Sequence, residues 1–137
     1  MIYYNFETEF NLENQEKITN WITKTIEEEG YKLDEISYIF CDDTYLLEKN
    51  IAYLNHDTLT DIISFDYSVG KIISGDIFIS TERVKENSKE FNVEFIEELY
   101  RVIIHGILHY CGYKDKTSEE KKEMRSKENY YLSLRKF

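Results

Sequence analysis

The longest uncharged apolar stretch of the chain, Val102 to Tyr113, has twelve residues and carries two of the three histidines. A bilayer span needs about 18 such residues, so no membrane partner is expected and the stretch reads as a buried element of a folded domain. Around it Ile96, Leu99, Ile103, Ile107 and Leu108 recur at helical spacing. That pattern predicts a helix from Glu94 to Cys111, central to the core and ended by Gly112. The rest of the chain is read as what encloses this helix. Its 137 residues suit one domain, taken as residues 1–137, and suffice for a core without disulfide staples. With 42% apolar and 15% aromatic residues it is not a disordered chain.

The other elements follow from local pattern. Met1 to Glu7 alternates weakly and reads as a strand. Between Leu12 and Glu29, Ile18, Trp21, Ile22 and Ile26 mark one helix face, with Gly30 as the stop. Ile36 to Cys41 reads as a buried strand, followed by a short helix from Asp43 to Leu54 with Leu47, Ile51 and Leu54 on one face. Two strands, Thr60 to Tyr67 and Lys71 to Ser80, are joined by a hairpin-like return at Gly70. Thr81 to Phe91 reads as a short amphipathic helix, and a charged last helix opens at Ser118 as N-cap and runs to Leu134. The class is α+β (α/β-like): a small mixed sheet of about four strands, packed with helices. The absence of proline agrees with a chain dominated by regular elements.

The central helix also carries the chemistry. His105 and His109 stand four apart, so both imidazoles rise from one face and can reach one divalent ion. Gly112 can take a positive φ and turn the chain back, bringing Asp115 towards the open side of that ion. Metzincin peptidases share this layout, with a glutamate after the first histidine and a third histidine at the end. Here Gly106 stands at the glutamate position and Asp115 at the end, so a peptidase reading fails. Two histidines and a carboxylate still describe a hydrolytic zinc site; the same ligand set also occurs in iron(II) oxygenases, against which the single-helix ligand order argues.

These residues resemble the signature of the YbeY endoribonuclease and rRNA maturation factor family. Its His-Gly-x-Leu-His-x-x-Gly-Tyr-Asp-His block stands here as His105-Gly106-Ile107-Leu108-His109-Tyr110-Cys111-Gly112-Tyr113-Lys114-Asp115. A second block lines up with Asn50 to Phe65, matching at Asn50, Tyr53, Asp57, Thr60, Asp61, Ser64 and Phe65. A third stands as Gly75-Asp76-Ile77-Phe78-Ile79-Ser80. The resemblance implies a metal-dependent endoribonuclease of single-stranded RNA that acts in rRNA maturation, with the ribosomal small subunit or its proteins as partner and no DNA substrate. It implies His105, His109 and, by position, Asp115 as ligands of one zinc ion, other divalent metals being competent. Such an ion polarises a phosphoryl oxygen, activates bound water, or both. Asp57, Asp61 and Ser64 are the carried-over candidates for the catalytic groove, although in one strand Asp61 and Ser64 face opposite sides. This chain departs from the family pattern at Asp115 and Lys114, and at Leu54, His56 and Leu59, where the family has arginine, lysine and proline. The empty arginine position, with Lys114 or Lys116 as possible substitutes, favours an alternative: a non-catalytic, metal-binding ribosome assembly factor.

Charge bears on the partner. The chain carries −10, but residues 114–137 hold 8 basic and 5 acidic side chains, so a basic tail follows an acidic body. Nonspecific RNA affinity is therefore expected to be poor. The tail has two readings, a solvated helix and a footprint for an anionic partner. Cys41 and Cys111 are too few and too distant for a disulfide framework, and no signal-like segment opens the sequence, so the expected location is cytoplasmic. His56 reads as a surface residue and Cys111 as a small buried hydrophobe. Tyr110, Tyr130 and Tyr131 read as base stackers or, more simply, as packing residues.

Overall fold

Parallel strands require a crossover between them, and the chain supplies one at once. β1 (Ile2–Phe6) leads through α1 (Gln15–Glu28) to β2 (Lys32–Cys41), and β1 and β2 pair in parallel. α2 (Asp43–Leu54), β3 (Ile62–Asp66), β4 (Ile72–Ser80), α3 (Thr81–Glu90), α4 (Phe95–Tyr110) and α5 (Ser118–Ser133) follow. The computed structural model describes residues 1–54 and 59–137; His56 and Asp57 lie outside the described residues. The sheet order is β1-β2-β4-β3, with β4 parallel to β2 and β3 antiparallel to β4. The expected α+β domain with a four-stranded mixed sheet is thus present, and the β3–β4 return at Gly70, with φ 59°, is the expected hairpin.

Alternation sorts the strand residues between two layers. Tyr38 pairs with Ile77 and Phe40 with Ile79; across β4, Ser64 stands opposite Ile77 and Ile62 opposite Ile79. This face meets Ile18, Trp21, Ile22 and Ile26 of α1 and Leu99, Ile103, Ile107 and Leu108 of α4 in one core. Each such fully buried aliphatic side chain contributes about 1.5–3 kcal/mol. The other face holds a smaller cluster in which Cys41 and Ile63 meet Leu46 of α2.

Two glycines set how closely the layers approach. A Cβ on Gly106 would stand 3.1 Å from Cδ1 of both Ile62 and Ile77, so this position of α4 faces the sheet. A Cβ on Gly75 would collide with the Phe65 carbonyl and the Tyr110 hydroxyl. That hydroxyl lies 2.9 Å from the Phe65 carbonyl and 3.1 Å from that of Asp76, joining α4 to both strands.

Some local expectations are corrected. α2 turns Leu46 and Asn50 inward, while Ile51 and Leu54 are 48% and 41% exposed, because the inward i, i+4 pair includes a polar residue that apolar periodicity passes over. Ile96 is 39% exposed, since the first turn of α4 packs through its neighbour Phe95. The N-cap of α5 is Thr117: its Oγ1 accepts from the Glu120 N–H at 3.1 Å, and the Glu120 carboxylate accepts from the Thr117 N–H at 2.9 Å. Ser118 is the first helical residue. No described helix is long and apolar enough to cross a membrane.

Candidate metal centre

Arg101, His105 and His109 follow one another at i, i+4 along α4 and so share a stripe. Each imidazole has a specific partner for Nδ1. His105 Nδ1 lies 2.7 Å from Glu128 Oε2, and His109 Nδ1 lies 2.9 Å from the Tyr113 carbonyl oxygen. Both partners are acceptors, so each ring can keep a proton on Nδ1 and, when neutral, presents the lone pair of Nε2. The two Nε2 atoms are 2.9 Å apart, and Asp115 Oδ2 lies 3.2 Å from one and 3.3 Å from the other. Three electron-rich atoms thus converge where only a positive centre makes the arrangement favourable. A tetrahedral ion with ligand bonds of about 2.0–2.1 Å separates its donors by about 3.3 Å, close to the observed spacing. The three donors therefore suit an ion such as zinc in both chemistry and separation. His105, His109 and Asp115 are the metal-competent cluster among the described residues.

The loop that delivers Asp115 is fixed from both sides. Gly112, with φ 96°, ends α4: its N–H donates to the His109 carbonyl and the Tyr113 N–H to that of Leu108, at 3.0 and 3.1 Å. The Tyr113 hydroxyl then donates to Glu29 Oε1 at 2.7 Å, tying the loop to the end of α1. Glu29 also accepts from the Tyr131 hydroxyl and from Lys127. Burial pushes the Glu29 carboxyl up, but the donors Tyr131, Tyr113 and Lys127 outweigh it and hold it below the usual range.

Glu128, buried on α5, is the second fixed point. Its Oε1 accepts from Arg101 Nη1 at 2.9 Å while Oε2 faces His105. Burial pushes Glu128 up, and the hydrogen bonds from His105 and Arg101 more than reverse this. For His105, burial acts to lower the pKa, but the Glu128 hydrogen bond and the charges of Glu128, Asp115 and Asp61 raise it. Such carboxylate–histidine pairs set ring orientation and ligand basicity in metal sites.

The other expected residues divide. Asp61 lies just before β3, outside the alternation that would have opposed it to Ser64. Its backbone carbonyl accepts from the Ser80 N–H at 2.9 Å, and its carboxyl feels the charge of His105 and bonds the Asn87 side chain. Burial pushes that carboxyl above the usual range. Ser64 sits within β3 opposite Ile77, on the α4 side of the sheet. Cys111 is buried, as expected, burial pushes its thiol up to about 12, and it lies outside the metal-competent cluster. Base stacking fails for Tyr110 and Tyr131, which are 6% and 1% exposed; Tyr130 is exposed and donates to Glu28. Sequence reasoning missed Glu128, Arg101, Glu29 and the Tyr113 carbonyl. Arg101 was detectable by extending the i, i+4 stripe by one turn, whereas Glu128, 23 residues from His105, had no local signal.

A family model described as Endoribonuclease YbeY matches residues 3–135. The chain belongs to the endoribonuclease YbeY family. It is 59% identical over 134 residues to the endoribonuclease YbeY of Flavobacterium johnsoniae, covering 98% of this chain and 96% of that one. With the endoribonuclease YbeY of Bacteroides fragilis it shares 51% over 118 residues, covering 86% and 85%. The solution structure of TM1509 from Thermotoga maritima matches with a TM-score of 0.68 at 25% identity, over 97% of this chain and 87% of that one. Several residues in the blocks that resemble the YbeY family serve the scaffold here. Gly75 and Gly106 admit close packing, and Ser80 caps α3 by accepting from the Arg83 N–H at 3.1 Å.

Proposed function

We propose that this chain is a metal-dependent endoribonuclease that hydrolyses single-stranded RNA in rRNA maturation, with His105, His109 and Asp115 holding one zinc ion. The observation that carries the reading is the convergence of two Nε2 atoms and one carboxylate oxygen within 3.3 Å, both rings being pinned by an Nδ1 acceptor. The named activity of the Flavobacterium johnsoniae relative, at 59% identity, supplies the RNA substrate class.

When bound, the ion supplies Lewis acidity towards a phosphoryl oxygen and lowers the pKa of a water. The chain's own residues do the rest. Glu128 and Arg101 hold His105 in register, and the Tyr113 carbonyl does the same for His109. Asp115 adds negative charge to the site. Asp61, whose carboxyl burial pushes above the usual range and which feels the charge of His105, is the candidate side chain for proton transfer to a departing oxygen. Lys114 and Lys116 are exposed on either side of Asp115 and are the cations nearest in sequence for a phosphodiester. A substrate carried by the ribosomal small subunit, in the cytoplasm, compensates for the weak RNA affinity of a chain with charge −10.

The test is cleavage of single-stranded RNA by purified protein with and without chelator, with His109→Ala as the control for a contaminating nuclease. Chelator-sensitive cleavage absent from the variant is the expected result. Protein that binds zinc and leaves RNA intact would instead establish the second reading, a non-cutting assembly factor. Leu54, where the family pattern has arginine, favours that second reading.

A further inference from the structure

α5 carries charges of both signs, but they are sorted. Ser118, Lys121, Lys122, Arg125, Ser126 and Asn129 line one shallow groove along the helix, and no acidic residue is among them. The acids of α5 are directed elsewhere. Glu120 folds back onto the Thr117 N–H and Glu128 turns inward to His105 and Arg101, while Glu119 and Glu123 fall outside the groove. Lys121 and Lys122 form no ion pair among the described residues, and Arg125 only approaches Glu128, at 3.8 Å. On a molecule of net charge −10, this face carries three cations and no acid.

Its position gives the face a meaning. Asn129 Oδ1 accepts from Arg101 Nη2 at 2.8 Å, and Arg101 is one helical turn before His105. At its Asn129 end the groove therefore adjoins the Arg101–His105–His109 stripe, and at its other end Ser118 follows Asp115 by three positions. From Ser118 to Asn129 the helix rises about 16 Å, room for several successive phosphates. Lysine and arginine neutralise phosphates, while serine hydroxyls and an asparagine amide donate to phosphate and sugar oxygens without reading sequence.

We propose that this face of α5 is the track for the backbone of the single-stranded RNA on one side of the cleavage point. The proposal rests on the endoribonuclease reading and supplies what the −10 charge withholds: a local path for a polyanion leading to the metal site. It requires no base contacts, so cleavage selectivity would come from elsewhere.

The experiment measures binding of zinc-loaded full chain to a fluorescein-labelled, 2′-O-methylated single-stranded oligoribonucleotide by anisotropy, over a range of salt concentrations. Lys121→Ala/Lys122→Ala/Arg125→Ala is expected to weaken binding about tenfold or more at low salt. It should also flatten the slope of log K against log[salt] by about 2, since each phosphate contact on a single strand contributes about 0.7. Lys121→Arg/Lys122→Arg/Arg125→Lys should retain the wild-type slope, and Lys17→Ala/Lys24→Ala on α1 should change neither quantity. These are surface changes to or among good helix formers, and a wild-type thermal melt verifies the fold. If wild type binds and the triple alanine variant matches it, the track is wrong and the face is left for an acidic protein surface. If wild type shows no binding at low salt yet cleaves unmodified single-stranded RNA, the track is wrong; if it neither binds nor cleaves, the endoribonuclease reading beneath it fails first.

Discussion

A histidine offers two nitrogens, and what holds one decides what the other can do. Glu128 faces Nδ1 of His105 at 2.7 Å, so which nitrogen is left to meet a metal is specified from a different helix. Glu128→Gln can place an amide N–H where the carboxylate accepted. The expected outcome is a loss of zinc affinity of about 10–100-fold with the fold retained, read by chelator competition and a thermal melt. Asp115 makes the opposite kind of contribution, a negative charge among the three candidate donors. Asp115→His removes that charge and leaves the ion's full +2 uncompensated, so the pKa governing the pH–rate profile should fall. An unchanged profile would show that the carboxylate does not set the operating pH.

At the scale of elements, two joints hold the site in place. The first is where α4 crosses β3 and β4 through Gly75 and Tyr110. Gly75→Ala drives a methyl into a backbone carbonyl and the Tyr110 hydroxyl, and should destabilise by about 1–3 kcal/mol in urea denaturation. The second joint is Glu29, where the end of α1 grips Tyr113 and Tyr131. Its folded pKa lies below the ordinary 4.5, so its contribution to stability is present above that value and is lost as pH falls through the folded pKa. Denaturation midpoints measured from pH 7 down to 3 should therefore drop more steeply for wild type than for Glu29→Gln. At neutral pH that variant should cost about 1–3 kcal/mol, because two hydroxyls and an ammonium lose a charged acceptor. Element types and most boundaries were legible beforehand because period and stop signals are local. The inward face of α2 was not: Asn50 is buried while Ile51 is exposed, and only the packing of α2 in the fold selects between them.

For the whole molecule, a metal bound at this site would be linked to the fold. Zinc bound only by the native state at 100 times its Kd should add about 2.7 kcal/mol of stability, raising the melting temperature, with the gain abolished by chelator or by His109→Ala. The sequence by itself determined that His105 and His109 share a helix face, that Gly112 turns the chain behind them, and that Asp115 follows within reach. Helical period and a glycine stop act over a few residues, so they are readable without a partner. Only the tertiary structure decided that Oδ2 of Asp115 meets both Nε2 atoms, that Asp61 comes near His105, and that Glu128 is the buried carboxylate behind the ring. The chain has 27 acidic side chains, and nothing local distinguishes the one that α4–α5 packing will press against a histidine. That choice belongs to the packing of helices far apart in sequence, where burial and hydrogen-bond geometry, not spacing, select the partner.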